Sequence, residues 1–215
     1  MRLYKTVRGL QNYLDKVKLT GQTVSFVPTM GALHEGHLSL IRIANQQAEI
    51  SVASIFINPS QFNNIKDLQK YPRTINQDME LLSLAGCKVL FLPTIKEVYP
   101  KGLDTGLDLD ARHLENRMEG VFRPGHFKGM LQVVKRLLDI VKADILIMGQ
   151  KDFQQFSLVA FMIKELGLKV KLIIAPTIRE IDGLAMSSRN LRLSPSMRKI
   201  VPVIYQCLLE AKANL

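Results

Sequence analysis

Short, almost uninterrupted apolar runs alternate along the chain with longer segments in which apolar residues recur every three or four positions. Runs of this kind, rich in β-branched residues, are typical of strands that are buried on both faces of a parallel sheet. They predict strands at 23–27, 50–57, 88–92, 144–148 and 169–174. Strands that alternate with helical segments indicate βαβ units, so the pattern predicts an α/β fold with a mainly parallel sheet.

Helical periodicity predicts helices over 38–47, 76–85 and 127–141, and Gly86 is placed to end the second of them. Pro195 predicts the first turn of a further amphipathic helix that reaches residue 215. The segment 93–124 is rich in Gly, Pro and charge, so we expect it to leave the sheet, apart from a short strand at 106–109.

Length and composition narrow the class of protein. A chain of 215 residues predicts one large domain, or one domain with a small appendage. The chain contains 47% hydrophobic and 22% charged residues, a composition that excludes disordered and low-complexity proteins. The apolar runs are far shorter than the roughly 18 residues of a membrane span, and the N-terminus lacks an apolar leader, which predicts a cytoplasmic protein. Cys87 and Cys207 lack metal-site or disulfide spacing and are expected to be buried thiols.

The net charge of +10 raises the question of an anionic partner. Most of the excess lies in residues 112–215, which contain 17 basic and 9 acidic side chains, a net +8. These basic residues are spread singly and are not interleaved with aromatics, so a solvated basic surface is favoured over a nucleic-acid groove.

The first candidate site is PTMGALHEGHLSLI (28–41), which follows an apolar strand and opens a helix. In doubly wound sheets ligands bind beyond the carboxyl ends of strands, where a helix N-terminus offers free N–H groups to phosphates. Gly31 and Gly36 allow close backbone approach, and His34 and His37 share one helix face. A single histidine here is more often a cap, but the whole combination favours a nucleotide site.

The segment ILIMGQKDFQQFSLV (145–159) repeats the order strand, glycine, helix. Gly149 suits close backbone approach and Lys151 suits a phosphate charge. Asp152 fits equally well as an N-cap, a ribose ligand or a magnesium ligand. Gln154 and Gln155 are adjacent, so only one of them is expected to face the crevice.

Two further segments carry weaker signals. PTIREIDGLAMSSRNLRLSP (176–195) could be a basic loop that closes over a triphosphate, with Arg189 neutralising the charge on departing pyrophosphate, or an ordinary Ser/Arg loop. FINPSQF (56–62) offers the amides of Asn58 and Gln61 to a small organic acid, or is simply an Asn-Pro turn. YPRTINQDMELL, with Tyr71 and Asp78, and GVFRPGHFKGM, with His126, are each compatible with helix capping.

Taken in order, PTMGALHEGHLSLI, FINPSQF, YPRT, GVFRPGHFKGM, MGQKDFQQF and IREIDGLAMSSRNLRLSP closely resemble the pantoate–β-alanine ligases (pantothenate synthetases) of vitamin B5 synthesis. The resemblance runs from the first strand to about residue 194. This family belongs to the HIGH-motif nucleotidylyltransferases, and AMSSRN stands where the related class I aminoacyl-tRNA synthetases have their KMSKS loop. The resemblance implies a Rossmann-like, doubly wound domain over 1–175 and the start of a small C-terminal lid domain over 176–215.

One departure from the family pattern concerns that lid. Family members continue well beyond AMSSRN into a C-terminal domain that covers the active site, whereas this sequence stops at residue 215 inside a predicted helix. The resemblance therefore implies an incomplete C-terminal domain, and we expect ATP to bind while the cleft closes poorly. It also implies a homodimer formed through the N-terminal domain.

The activity implied by the resemblance has two steps. The carboxylate of (R)-pantoate attacks the α-phosphorus of Mg-ATP to give pantoyl adenylate and pyrophosphate, and the amine of β-alanine then displaces AMP. Positioning and charge stabilisation supply most of this catalysis. The implied partners are thus ATP with Mg²⁺, pantoate and β-alanine, without a tightly bound organic cofactor, nucleic acid or membrane.

The resemblance also implies roles for individual residues. The implied catalytic residues are His34, His37, Lys151 and Arg189, with His37 as the family's proton donor, although a histidine on phosphates can also act without proton transfer. The implied ATP-binding residues are Met30, Gly31, Ala32, Leu33, His34, Glu35, Gly36, His37, Gly149, Gln150, Lys151, Asp152, Ile178, Met186, Ser187, Ser188 and Arg189. Asn58, Gln61 and Gln155 would bind substrate, and Asp78, with Asp152 as a second candidate, would bind magnesium.

Two other functions stay open at this point. A nucleotidyltransferase acting on a phosphorylated small molecule would use the same H-x-G-H turn, but it would not need FINPSQF or QKDFQQF. An RNA-binding module would explain the net charge, and its binding would weaken steeply with salt.

Overall fold

A single sheet of six parallel strands forms the centre of the computed structural model, which describes residues 1–62 and 65–214. The strands are β1 (Arg2–Tyr4), β2 (Val24–Thr29), β3 (Ile50–Ile55), β4 (Val89–Phe91), β5 (Ile145–Gly149) and β6 (Lys171–Ala175). Their spatial order is β1–β4–β3–β2–β5–β6, and each neighbouring pair is parallel. The α/β class and the Rossmann-like doubly wound sheet are thereby confirmed.

Eleven α-helices connect and follow the strands within the described residues. They are α1 (Val7–Leu19), α2 (Glu35–Gln47), α3 (Ile65–Lys70), α4 (Ile75–Leu84), α5 (Ile95–Val98), α6 (Arg112–Glu115), α7 (Glu119–Phe122), α8 (His126–Val141), α9 (Phe153–Glu165), α10 (Pro195–Ile200) and α11 (Val203–Ala213). Two 3₁₀ turns lie at Pro59–Gln61 and Ser188–Arg192. None of these helices combines the length and the apolarity that crossing a membrane requires.

Helices cover both faces of the sheet. On one face α1, α8 and α9 bury residues such as Leu10, Leu137 and Leu158 against the strands. On the other face α2 and α4 bury Ile41 and Leu82. Because every inner strand is covered on both sides, its residues are apolar without alternation, which is why the strands could be found in the sequence.

The sheet has a topological switch point between β2 and β5. The chain continues from β2 to β3 on one side of the sheet, and from β5 to β6 on the other. β2 and β5 pair only where Ser25 lies opposite Ile145 and Phe26 opposite Leu146, so the two strands separate before their carboxyl ends. A crevice of this kind is the usual ligand position in doubly wound sheets.

Several local predictions need correction. The structure contains strand β1 and helix α1, which the sequence analysis did not predict. Strand β1 was missed because its side chains are mostly exposed at the edge of the sheet. The chain at 106–109 forms no strand; Leu107 and Leu109 pack on the core from an irregular segment instead. Gly86, with φ +79°, follows the end of α4 as predicted, and its N–H donates to the Ser83 carbonyl.

The segment after the sheet also differs from its prediction. The long C-terminal helix is broken into α10 and α11 at Pro202, whose ring and missing N–H are incompatible with a helix interior. Leu215 lies outside the described residues. Cys87 is buried, but Cys207 on α11 is exposed, so the expectation of two buried thiols was half wrong. The division into domains at 175/176 stays a prediction, although the last strand ends at Ala175.

Candidate active site

A cleft opens at the switch point between β2 and β5. Among the residues predicted to bind ligands, those that line it are Met30, His34, Gly36, His37, Gln61, Gly149, Lys151, Asp152, Gln155, Ile178 and Met186. They come from four segments that are distant in sequence, and the parallel sheet brings them to one edge. The cleft is therefore where a substrate would contact the predicted motifs.

The two histidines of the first motif are locked into one orientation. His34 is the N-cap of α2, and its Nδ1 accepts the Gly36 N–H at 3.1 Å. The His34 N–H donates in turn to Nδ1 of His37 at 3.3 Å, which completes a capping box. A Cβ at position 36 would lie 2.9 Å from the His34 ring, so a glycine is needed there. Since both Nδ1 atoms accept, a neutral ring carries its proton on Nε2 in each case.

Burial keeps both rings uncharged near neutral pH. Burial, helped by the nearby Lys151 ammonium, lowers the pKa of His34 to about 4. Burial lowers the pKa of His37 to about 3, with further contributions from His34 and Lys151. The cleft therefore presents two neutral imidazoles, each a hydrogen-bond donor through Nε2, next to the N-terminus of a helix.

Asp78 has a structural task that the sequence did not reveal. Its carboxylate, only 1% exposed, accepts the N–H of Ala32 at 3.0 Å and that of Leu33 at 2.8 Å. The hydroxyl of Thr74 lies 3.2 Å from both carboxylate oxygens. Gly31 and Ala32 have φ of +83° and +51°, a backbone region that favours glycine, so Asp78 fixes a strained loop just before His34.

Lys151 and Asp152 follow β5 on the opposite side of the cleft. The Lys151 ammonium donates to the Met186 carbonyl at 3.1 Å and so connects this side to the AMSSRN segment. Asp152 is the N-cap residue of α9, but its side chain makes no capping hydrogen bond. Of the three roles open to Asp152 in the sequence, the cap is therefore wrong, and the carboxylate is available to a ligand.

The FINPSQF segment supplies one side chain to the cleft and a second that supports it. Gln61 lines the cleft, and its backbone carbonyl lies 2.6 Å from Nδ1 of the buried His126. Asn58 is only 1% exposed and donates to the Gly129 carbonyl and to Oε1 of Gln61. The Asn58 amide is thus used inside the protein, where it positions Gln61, and its contact with substrate stays a prediction.

Other predicted ATP-binding residues do not line the cleft. These are Gly31, Ala32, Leu33, Glu35, Gln150, Ser187, Ser188 and Arg189. Leu33 packs in the core, and Glu35 forms an ion pair with Arg42 on the exposed face of α2. Arg189 lies beside Asp67 of α3, with 3.8 Å between its guanidinium and the carboxylate. The structure thus gathers the two histidines and Lys151 and leaves Arg189 at the cleft's edge.

The apolar wall of the cleft was missed by sequence reasoning. Helix α8 contributes Met130, Val133, Val134 and Leu137, and Tyr71 closes another side. The sequence did contain a signal, because apolar residues extend around α8 beyond one core-facing stripe. In the structure twelve of the sixteen α8 residues are buried. Burial raises the pKa of the Tyr71 hydroxyl, and the nearby Ser188 partly offsets this rise.

A switch-point cleft with neutral histidine donors at one helix N-terminus and a lysine beside another places the protein among Rossmann-like nucleotide-binding enzymes. Comparison with protein families is more specific, because the model of the pantoate–β-alanine ligases matches residues 2–214. The chain belongs to this family and is an AMP-forming ligase that joins pantoate to β-alanine at the expense of ATP.

Individual relatives agree with this assignment. The pantothenate synthetase of Aliivibrio fischeri is 45% identical over 204 residues, which are 95% of this chain and 70% of that protein. A crystal structure of pantothenate synthetase from Thermus thermophilus is 44% identical, with a TM-score of 0.90 over 97% of this chain and 74% of that one. A pantoate–β-alanine ligase from Francisella tularensis, "complexed with Beta-gamma ATP and Beta-alanine", has a TM-score of 0.89 and 39% identity over 96% of this chain and 78% of that one.

Proposed function

We propose that the cleft between the carboxyl ends of β2 and β5 carries out both steps of this ligation, with His34, His37 and Lys151 as the groups that act on ATP. The observation that carries the proposal is that these three side chains meet at the switch point although up to 117 residues separate them in sequence. In the first step a pantoate carboxylate oxygen attacks the α-phosphorus and pyrophosphate leaves. In the second the β-alanine amine attacks the acyl carbon and AMP leaves.

The histidines act in this proposal as neutral donors. With Nδ1 engaged by a backbone N–H, each ring can donate a hydrogen bond only through Nε2, and its low pKa means that it carries no second, acidic proton at neutral pH. Hydrogen bonds to the phosphate oxygens become stronger as negative charge develops on them, which lowers the barrier without proton transfer. We therefore assign to His37 charge stabilisation, and not the proton-donor role that the resemblance implied.

Lys151 supplies the positive charge that the neutral histidines lack. Its ammonium lines the cleft and is held toward the AMSSRN segment by the Met186 carbonyl. The first residues of α2 and α9 line the same cleft and bring the positive ends of two helix dipoles to it. Together they would bind the triphosphate and stabilise the departing pyrophosphate.

Pantoate would lie between Gln61 and Gln155, the two amide side chains of the cleft. Their donors and acceptors suit the hydroxyl and carboxylate groups of this acid. The geminal methyl groups of pantoate would contact the apolar wall formed by α8. The relative from Francisella tularensis was crystallised with β-alanine, which supports β-alanine as the amine substrate of this chain.

Magnesium would enter with ATP. The described residues contain no cluster of three or more His, Cys, Asp or Glu side chains that could hold a metal ion by themselves. Asp152 fits as a single carboxylate ligand, because it lines the cleft and is not used as a cap. Asp78 fits less well, since backbone and hydroxyl donors already occupy its two oxygens. Bound there, the ion would screen the phosphate charges.

Pyrophosphate release from Mg-ATP tests the proposal. With pantoate alone the chain should release pyrophosphate, and AMP with pantothenate should form only when β-alanine is added. Lys151→Ala and His37→Ala should each slow pyrophosphate release by roughly 10²-fold or more, as expected for a lost charge-stabilising donor. A coupled pyrophosphate assay measures the rate of pyrophosphate release, and mass analysis identifies AMP and pantothenate among the products.

Lys164→Ala is the matched control, because Lys164 is exposed in the last turn of α9, far from the cleft. It should leave the rate unchanged. Pantoate-independent pyrophosphate release, or a Lys151→Ala variant with the wild-type rate, would contradict the proposed roles. Homodimerisation and a cytoplasmic location stay predictions from the resemblance.

A further inference from the structure

A charge cluster outside the cleft connects α3 to the AMSSRN segment. The Asp67 carboxylate accepts from Arg192 at 2.9 Å, and its second oxygen lies 3.8 Å from the Arg189 guanidinium. All three side chains are only partly exposed, Asp67 at 31%, Arg189 at 49% and Arg192 at 44%. The contact spans more than 120 residues of sequence, so it joins two segments that are distant along the chain.

Local geometry directs both arginines toward this carboxylate. Ser188–Arg192 is a 3₁₀ turn, in which side chains three residues apart lie one above the other. The Ser187 hydroxyl accepts the Arg189 N–H and fixes the start of the turn. Tyr71, which follows α3 and lines the cleft, lies near Ser188 and Arg189, both of which lower the pKa of its hydroxyl, so the same two segments are also close at this point.

The charges around Asp67 are unbalanced. Arg189 and Arg192 both lie within ion-pair distance of its carboxylate and lower its pKa, so two guanidinium groups share one carboxylate. Arg192 makes a charge-assisted hydrogen bond, whereas the Arg189 contact is longer than a hydrogen bond. Arg189 is therefore the cation held less tightly, and it lies next to a cleft built for a triphosphate.

We propose that Asp67 is a positioning residue for the adenylation step: it anchors the 3₁₀ turn through Arg192 and keeps Arg189 at the edge of the cleft, where the triphosphate can take it over. This inference rests on the proposed function of the cleft. Asp67 does not line the cleft, so it acts on ATP only through the two arginines.

Asp67→Asn removes the charge and keeps the side-chain size, which makes it the central variant. Pantoate-dependent pyrophosphate release should become roughly three- to tenfold slower and KM for ATP should rise by a similar factor, the range expected for a partly exposed ion pair. KM for β-alanine and the urea midpoint should stay unchanged. Asp67→Glu should recover most of the lost rate, because the charge returns.

Asp110→Asn is the matched control, since Asp110 is an exposed carboxylate that hydrogen-bonds Arg112 away from the cleft. It should behave as wild type. The rate of trypsin cleavage after Arg189 and Arg192, followed by mass spectrometry, reports whether the ion pairs are intact. This measurement does not depend on enzymatic activity. In Asp67→Asn that cleavage should accelerate severalfold, and in Asp110→Asn it should not.

The outcomes separate the two proposals. A wild-type chain without pantoate-dependent pyrophosphate release would contradict the proposed function, while the trypsin result would still decide on Asp67. A wild-type chain that turns over, with Asp67→Asn equal to it in rate, KM and cleavage, would overturn the positioning role. Loss of rate together with a lower urea midpoint and no recovery in Asp67→Glu would also overturn it, in favour of a purely structural role.

Discussion

Gln154 and Gln155 are chemically identical neighbours whose environments give them different tasks. Gln155 lines the cleft. Gln154, 8% exposed, donates to the Leu114 and Arg117 carbonyls at 2.9 and 2.8 Å and accepts the Gly120 N–H at 3.4 Å. One position along α9 thus separates a side chain that lines the cleft from one that supports the 114–120 segment, because adjacent helix residues point about 100° apart.

The pair allows a matched test at the residue scale. Gln155→Ala should raise KM for pantoate by about tenfold, the effect of losing one good hydrogen bond, and leave the unfolding free energy unchanged. Gln154→Ala should lower the unfolding free energy by about 1–3 kcal/mol, because three backbone groups lose their partner. Urea denaturation and pantoate kinetics on both variants separate the effects, and a normal KM for pantoate in Gln155→Ala would remove this residue from the site.

At the scale of elements, the loop between β2 and α2 depends on a distant helix. Its residues Gly31 and Ala32 both have positive φ, and the carboxylate of Asp78 on α4, 45 residues or more away, accepts the N–H groups of Ala32 and Leu33. Strained backbone persists only where surrounding contacts fix it. The orientation of His34 and His37 therefore depends on α4 as well as on their own helix.

Asp78→Asn tests this dependence. An amide has one acceptor oxygen, and its NH₂ group would face a second backbone donor, so we expect a loss of about 1–3 kcal/mol in unfolding free energy and a weaker affinity for ATP. Urea denaturation of the ligand-free protein and calorimetric ATP titration are the measurements.

The same variant distinguishes a loop anchor from a magnesium ligand. If Asp78 acts mainly on the metal, stability without ligand should stay at the wild-type value, and only the Mg²⁺ concentration needed for activity should rise. That pattern would refute the anchoring role. Asp110→Asn again serves as the control for a lost carboxylate.

At the scale of the whole molecule, the buried histidines connect the cleft to the pH dependence of folding. His37 has a pKa of about 3 in the folded protein and about 6.5 when unfolded. Between these pH values the unfolded chain binds more protons than the folded one. The contribution of neutral His37 to the unfolding free energy is therefore fully present above pH 6.5 and decreases as the pH falls. His34 acts in the same direction.

We expect His37 alone to cost about 1 kcal/mol of unfolding free energy between pH 6 and pH 5. His37→Asn should remove this slope, because the asparagine oxygen can still accept the His34 N–H but does not titrate. Urea denaturation at several pH values between 5 and 7.5 measures it. The exposed His113→Asn provides the control for a lost imidazole, and a slope unchanged in His37→Asn would show that this ring is not held neutral.

The sequence by itself determined the parallel α/β sheet and the positions of the motifs. Inner strands such as 144–148 could be found because both faces of the sheet are covered, so nearly all of their residues are apolar. Strand–glycine–helix order placed His34, His37, Lys151 and Gln155 at carboxyl ends of strands, where the sheet brings them together. The six ordered segments also indicated the family that the comparisons confirmed.

Only the tertiary structure decided which polar side chains face the cleft and which support it. Asn58, Asp67 and Asp78 have partners 45 to 125 residues away, in addition to Gln61 near Asn58 and Thr74 near Asp78. Periodicity and capping patterns report contacts within a few residues along the chain, so they cannot reveal such pairs. The edge strand β1 and the break at Pro202 likewise depend on neighbours or local sterics that apolar patterning does not record.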